Sequence, residues 1–397
     1  MSPTESAPSI APAIHKRHRY KKNKEEKSQR NDKRKENSAR TALVLGGGAP
    51  NMALMAGAVA AFVDQRVVFD VVSTSGAGSL AGLLWLAPKG QTPAEALRSV
   101  KSMSISDMIH QHFPINYKVF NKPGPWADLW RTALAANPFF GIIPQDYQHS
   151  ALYAFWADWM ALCAASLSPS GLGWSSWGLC APPPFIEHII DFDKIADIKP
   201  YFYLNAYNVS KERMDDFRKD EITPDHFRAA LAFPFIYGPF LLNGDLYYEG
   251  AVVDCLNFKD LCELHTDLDT IVVLDVLGSD TLIRKPRNIY DSWVLSIVIP
   301  LVKIAEDNLK LFVSKYNKGW QKSDGAKADL LKMEFDIPEE YLTEVLDWSA
   351  SNATRLFDIG YNSGLRFVEA HKSKLTFTPH ETVAPTAEQG ASKIAGC

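Results

Sequence analysis

Two short turns hold the groups best suited to chemistry. Gly46-Gly47-Gly48-Ala49-Pro50-Asn51 follows the apolar run TALVL and precedes the Ala-, Leu- and Met-rich stretch NMALMAGAVAAFVDQ. A glycine turn between a strand and a helix crowds backbone N–H groups at a helix N-terminus. Such a place suits an anion, either a phosphate or the oxyanion of an acyl-transfer intermediate. A tight βα turn needs the same glycines for backbone reasons alone. A dinucleotide fingerprint fits poorly, because its last glycine would fall on Asn51. The second turn, Ser73-Thr74-Ser75-Gly76-Ala77-Gly78, lies between VVFDVVSTS and GSLAGLLWLA. A serine on a strained strand-to-helix turn, with small neighbours, is the setting of a nucleophile elbow, and the helix behind it favours developing negative charge. The strict G-x-S-x-G pattern is not met, since Ser73 and Ala77 stand where it has glycine and the glycines are Gly76 and Gly78.

The elements around these turns decide whether they can act together. Apolar β-branched runs alternate with helical stretches from Thr41 to about residue 87, the rhythm of parallel strands with crossover helices. If the first two strands pair in parallel, both turns lie on one sheet edge, as a nucleophile and its oxyanion hole require. In an α/β-hydrolase the elbow comes several strands later, which argues against that fold. Further strands are expected at 199–210, 246–254 and 269–278. Helices are expected after Thr92-Pro93, over 293–316 with an interruption at Pro300, and over 338–371. Residues 113–185, rich in Pro, Gly and Trp, predict loops and short helices over the sheet.

The first 40 residues hold 12 Lys/Arg against 5 Asp/Glu, a balance of +7, so the remaining body carries −11 of the net −4. This leader has no apolar period and is expected to be disordered. It lacks the apolar core of a secretory signal. The five cysteines (Cys163, Cys180, Cys255, Cys262 and Cys397) show neither a CxxC pair nor metal spacing, which reads as reduced thiols in a cytoplasmic protein. No apolar run reaches the ~18 residues of a membrane span. The nearest, residues 151–167, is interrupted by Asp158. Three parts are expected: a basic tail over 1–40, a body over 41–371 and a flexible C-terminal tail over 372–397.

These residues together resemble the patatin-like phospholipases. GGGAPNMALMAGAV resembles their opening glycine motif, GGG-x-[RK]-G, followed by a helix whose glycine matches Gly57. FDVVSTSGAGSLAGLL resembles their nucleophile segment, and AALAFPFIYGPFLLNGDLYYEGAVVDCLNF their third signature, ending in D-G-[GA]-V-x-D. The motifs come in the family's order between residues 41 and about 260, while 90–195 matches nothing assignable. The resemblance implies an α/β fold with a mainly parallel sheet flanked by helices, here carrying a helical, Trp-rich insertion. It implies hydrolysis of fatty acyl esters by a Ser–Asp dyad without histidine, metal or cofactor. Ser75 falls on the nucleophile, and Gly46, Gly47 and Gly48 on the oxyanion donors. Gly76, Gly78, Gly250 and Asp254 fall on supporting positions. The catalytic aspartate falls on Glu249, which keeps the carboxylate and adds a methylene.

Two other departures matter. Pro50 replaces the basic residue of the first loop and has no N–H, and Asn51 replaces its last glycine. A carboxylate base must come within about 2.6–3.2 Å of the proton it takes. Glu249 meets this only if its loop recedes or its side chain folds back; otherwise the fold survives as a silent lipid-binding or scaffolding protein. A third reading gives the glycine turn to a nucleotide phosphate. His226 and His265 flank the third signature and offer a Ser–His–acid triad, though each also reads as an ordinary partly exposed histidine. Asp275 ends an apolar strand and reads as an edge carboxylate or a turn residue. The expected partner is a lipid ester, with no nucleic acid. Trp156, Trp159, Trp174 and Trp177 read either as a face contacting a membrane periphery or as a cap packed on the core.

Overall fold

The five residues Thr41–Leu45 (β1) are all buried, because both faces of this strand are covered. Leu43 and Leu45 enter one hydrophobic layer, Ala42 and Val44 the other. A strand covered on both sides reads as continuous apolar sequence, not as alternation. A computed structural model of the chain describes residues 40–48, 51–136, 151–183, 185–276, 285–286, 289–317, 328–335, 337 and 347–379. The basic leader up to residue 39, Ala49 and Pro50, the stretch 137–150, the start of the helix expected from 338, and the chain after 379 lie outside the described residues.

β1 pairs in parallel with Val71–Thr74 (β3) on one side and Thr270–Leu274 (β8) on the other. Tyr201–Asn208 (β4) continues the parallel array beyond β3, and Asp329–Met333 (β9) beyond β8. Arg213–Arg218 (β5), Phe240–Leu242 (β6) and Asp245–Glu249 (β7) add antiparallel pairing at the β4 side, which completes an eight-stranded mixed sheet. The short strands Val67–Val68 (β2) and Thr376–Phe377 (β10) form a separate pair. β10 lies in the stretch expected as a C-terminal tail from residue 372, and its backbone pairs with β2.

Helices Met52–Asp64 (α1) and Ala77–Leu86 (α2) follow the two turns directly. The insertion contains Pro125–Ala136 (α3) and Ala151–Leu167 (α4). Ile289–Leu311 (α5) runs through Pro300 without a break, contrary to the interruption expected there. Pro300 and Ser296 are both exposed, so water can take the carbonyl that the proline leaves without a donor. Ala350–Ala370 (α6) is capped by the Ser349 hydroxyl, which accepts from Asn352 N. The helix expected at Thr92-Pro93 is present over Pro93–Arg98, and Thr92 and Glu95 form its reciprocal capping box.

α6 lies against α1 closely enough that backbone meets backbone. A methyl group on Gly57 would come 2.0 Å from Phe357 O, and one on Gly360 would come 2.0 Å from Leu54 O. This contact holds α1, and with it the exit of the glycine turn, at a fixed angle over the sheet. Gly360→Ala is therefore expected to cost about 1–3 kcal/mol in a urea melt, the range for overpacking. Gly173→Ala, where nothing lies within 4 Å, should stay within about 0.5 kcal/mol.

Candidate active site

The pairing of Leu45 with Thr74 means that the chain leaves β1 at Gly46 and β3 at Ser75 at one level of one sheet edge. Ser75 N donates to Leu45 O at 3.1 Å, so the serine rests on the end of β1. Gly76 turns the chain with φ 49° and ψ −128°, in a region that L side chains rarely occupy. α2 then starts hard against β1: a methyl group on Gly78 would lie 2.2 Å from Leu45 O and 2.6 Å from Gly46 O. Close approach fixes both positions as glycine, and Ser75 is left buried at the head of α2.

Glu249 reaches the same place from the far side. Thr74 pairs with Leu204 and Ala206 pairs with Glu249, so the end of β7 stands level with position 76. The Glu249 carboxyl lies over Gly76, where an added methyl group would be 2.0 Å from Oε1. Gly250 continues the turn against Asn205, whose Oδ1 would be 2.3 Å from a methyl group there. Burial pushes the Glu249 carboxyl up to about 8, with no donor or cation opposing it. The neutral acid therefore predominates at pH 7. Burial also pushes the Tyr237 hydroxyl well above its usual range, and the nearby charges of Cys180 and Glu249 add to this.

Ser75 does not donate to Glu249. Its Oγ donates to the main-chain oxygen of Asp254 at 3.0 Å, and the same oxygen accepts from Asn205 Nδ2 at 3.0 Å. The Asp254 carboxylate folds its own loop by accepting from Asn257 N at 2.9 Å and Leu256 N at 3.3 Å. Asn257, in a left-handed conformation (φ 47°), ties that loop to β3. Its Nδ2 donates to Thr74 O at 3.2 Å, and its carbonyl accepts from Ser73 Oγ at 2.6 Å. Asn205 and Asn257 thus adjoin Ser75 and its strand, and neither is in the sequence-based set. Their one signal was an asparagine inside the apolar runs YFYLNAYN and DCLNF.

The glycine turn holds fewer free donors than its composition suggests. Gly46 N donates to Leu274 O at 3.1 Å, and Gly47 N to Cys255 O at 3.2 Å. Among the described residues, the N–H groups of Gly48 (φ 131°) and Gly76 have no hydrogen-bond acceptor. Asn51 is buried, and its Nδ2 approaches Val276 O at 3.5 Å, joining the start of α1 to the end of β8.

The remaining candidates lie elsewhere. His265 is buried with Nε2 2.7 Å from Tyr203 Oη and its ring against Tyr201. Burial holds it down to about 4, and Arg40, at the opposite end of β1 from Ser75, adds to this. His226 contacts Thr223 Oγ1 through Nδ1 at 2.8 Å and stacks edge-on against Phe217. Neither histidine contacts Ser75 or Glu249. Asp275 is buried and 3.4 Å from Lys332 Nζ, an ion pair at the end of β8. Among the described residues, no group of three His, Cys, Asp or Glu is placed to hold a metal ion.

The family model for patatin-like phospholipases matches residues 43–261, from β1 into the short helix Lys259–Leu264 beyond Glu249. Among solved structures, VipD from Legionella pneumophila is similar over 84% of this chain and 67% of that one, at 12% identity and a TM-score of 0.34. That likeness is too slight to add to the family match. No curated protein sequence matches the chain. The matched span covers more than half of the chain and includes both turns and the carboxylate strand. The chain belongs to the patatin-like phospholipase family, a family of lipid acyl hydrolases.

Proposed function

We propose that the protein is a serine lipid acyl hydrolase in which Ser75 is the nucleophile and Glu249 its general base. The observation that supports this most strongly is the meeting, at one sheet edge, of a buried serine on an elbow, a buried carboxyl and two N–H groups without acceptors. Buried backbone N–H groups are seldom left unpaired, and an oxyanion is the ligand that would satisfy these two. The serine hydroxyl first turns from the Asp254 carbonyl. Ionised Glu249 takes its proton, and Oγ attacks the ester carbonyl. Gly48 and Gly76 N–H hold the oxyanion, in place of the Gly46 and Gly47 groups already engaged. Glu249 returns the proton to the leaving oxygen, which departs as the alcohol, and water activated by the regenerated carboxylate releases the fatty acid from the acyl-enzyme.

Two features favour a second reading, a silent fold that only binds lipid. Ser75 is hydrogen-bonded away from its base, and the base is largely neutral at pH 7. Mass spectrometry after treatment with a long-chain fluorophosphonate at pH 8.5 separates the two. The expected result is one adduct on the peptide containing Ser75; an unmodified Ser75 peptide would establish the silent reading. The nucleotide-binding alternative loses ground, because two of the three glycine N–H groups that would cradle a phosphate are engaged.

A further inference from the structure

α4 is built inside out for a helix on a soluble protein. Its one charged residue, Asp158, points inward and is fully satisfied there. Ser106 N donates to it at 2.7 Å, Tyr117 Oη at 2.9 Å, and Lys118 Nζ lies 3.1 Å away. Phe155, Leu162 and Ala165 pack on the same side against Ile105, Ile109 and Tyr117. The outward side carries Leu152, Trp156, Trp159, Met160 and Leu167, spaced as one helical face. Trp156 is 55% exposed and Leu167 73%.

The stretch of chain that follows α4 adds no charge. From Ala151 to Ile186 the sole charged residue is Asp158. The loop after α4 exposes Leu172, Trp174 and Trp177, and returns beside the start of α3, where Gly171 N donates to Pro123 O at 2.6 Å. α3 itself packs on α4, with Trp130 Nε1 donating to Ala164 O at 3.0 Å, and exposes Trp126 and Leu129 beside the Asp128–Arg131 ion pair. The loop next joins the segment that supports Glu249. Leu179 N donates to Phe235 O and Cys180 N to Ile236 O, and this strip carries the Ala232 carbonyl that accepts from Glu249 N at 2.9 Å. Phe235 is exposed in a left-handed conformation (φ 71°), uncommon for a bulky residue.

We infer that this face docks on a lipid bilayer, with α4 and the 172–179 loop lying in the interface and the 232–236 segment beside Glu249 next to it. The choice of a bilayer rests on the acyl-hydrolase reading, whose substrates reside there. It rests also on the character of the patch. Protein-binding surfaces keep a polar rim, whereas this one extends for 36 residues of sequence without an outward charge and is rich in tryptophan, which prefers the lipid interface. Among the described residues, no helix is long and apolar enough to cross a membrane, so the contact is one of lying on the surface.

The test is flotation of the full chain with vesicles of neutral phosphatidylcholine, using wild type and a combined Trp156→Glu, Leu167→Glu, Trp177→Glu variant. All three side chains are exposed, so the fold should hold; hydrolysis of a water-soluble short-chain ester, expected within about twofold of wild type, checks this. The bound fraction is expected to fall by about tenfold or more. Equal flotation of variant and wild type overturns the inference. So does a wild-type dimer that the three charges dissociate, or binding that requires anionic lipid and vanishes in high salt. A chain that floats but cleaves no ester leaves the docking face standing and removes the hydrolase reading; one that cleaves the soluble ester but does not float removes the docking face alone.

Discussion

Ser75→Ala is expected to abolish ester hydrolysis, with a loss on the order of 10⁴-fold or more in kcat, while leaving the fold intact. The size follows from removing the atom that forms the acyl-enzyme, which no neighbour can replace. Fold retention follows from the geometry around it. Ser75 Oγ makes one hydrogen bond, to Asp254 O, and that oxygen keeps its bond from Asn205 Nδ2 when the hydroxyl is gone. The loss in stability should stay near 1 kcal/mol. The neighbouring serines should behave in the opposite way. Ser73 Oγ fastens the Asn257 loop at 2.6 Å, and Ser79 Oγ bonds Gly76 O at 2.5 Å within the first turn of α2. Alanine at either should lower the melting temperature more than it lowers turnover. Turnover of a p-nitrophenyl fatty ester by the three variants, with circular dichroism, decides the matter. Wild-type turnover by Ser75→Ala would overturn the nucleophile assignment.

The central strands and both turns were legible because double-sided burial leaves an unmistakable apolar run, and because the turns need glycines at fixed places. What stayed hidden is where that logic fails. β5, RMDDFR, is short and largely polar, and a strand paired on one side carries little apolar signal. The β6–β7 hairpin has a local signal in Asn243-Gly244, both at positive φ, which the reading of 246–254 as one strand passes over. That reading also runs β7 into the 3₁₀ turn Gly250–Val252, where Gly250 has to clear Asn205. The engagement of Gly46 with Leu274 and of Gly47 with Cys255 is set by a strand and a loop more than 200 residues away, and no local pattern announces it. The Trp-rich face posed a different problem. An apolar stripe at helical spacing looks the same whether it is buried or exposed, and only the inward position of Asp158 shows which side of α4 meets the core.

Glu249→Gln is expected to cost on the order of a thousandfold or more in turnover, because an amide cannot take the serine proton. Its pH behaviour separates a base from a structural residue. The carboxyl, held at about 8 by burial, must ionise to act, so wild-type kcat/KM should rise about tenfold per pH unit up to about pH 8 and then level. Stability should move the other way. Between the ordinary glutamate value of 4.5 and about 8, the folded chain holds a proton that the unfolded chain has released. The stabilisation is complete below 4.5 and falls as pH rises toward 8, by at most about 1.4 kcal/mol per unit. Glu249→Gln stays neutral throughout, so it should be the more stable protein at pH 9 while being nearly inactive. Glu249→Asp probes the reach of the side chain. In the present geometry the longer side chain carries the carboxyl over Gly76, one of the two turn N–H groups free to hold an oxyanion, and makes no bond to Ser75. Shortening it by one C–C bond should withdraw the carboxylate from Gly76 and raise turnover severalfold. A site built around glutamate would respond with the reverse, a loss on the order of a hundredfold from about 1 Å of misplacement. The measurement is the pH–rate profile of wild type and both variants on one soluble ester. A flat wild-type profile between pH 6 and 9, or wild-type turnover by Glu249→Gln, removes Glu249 from the mechanism.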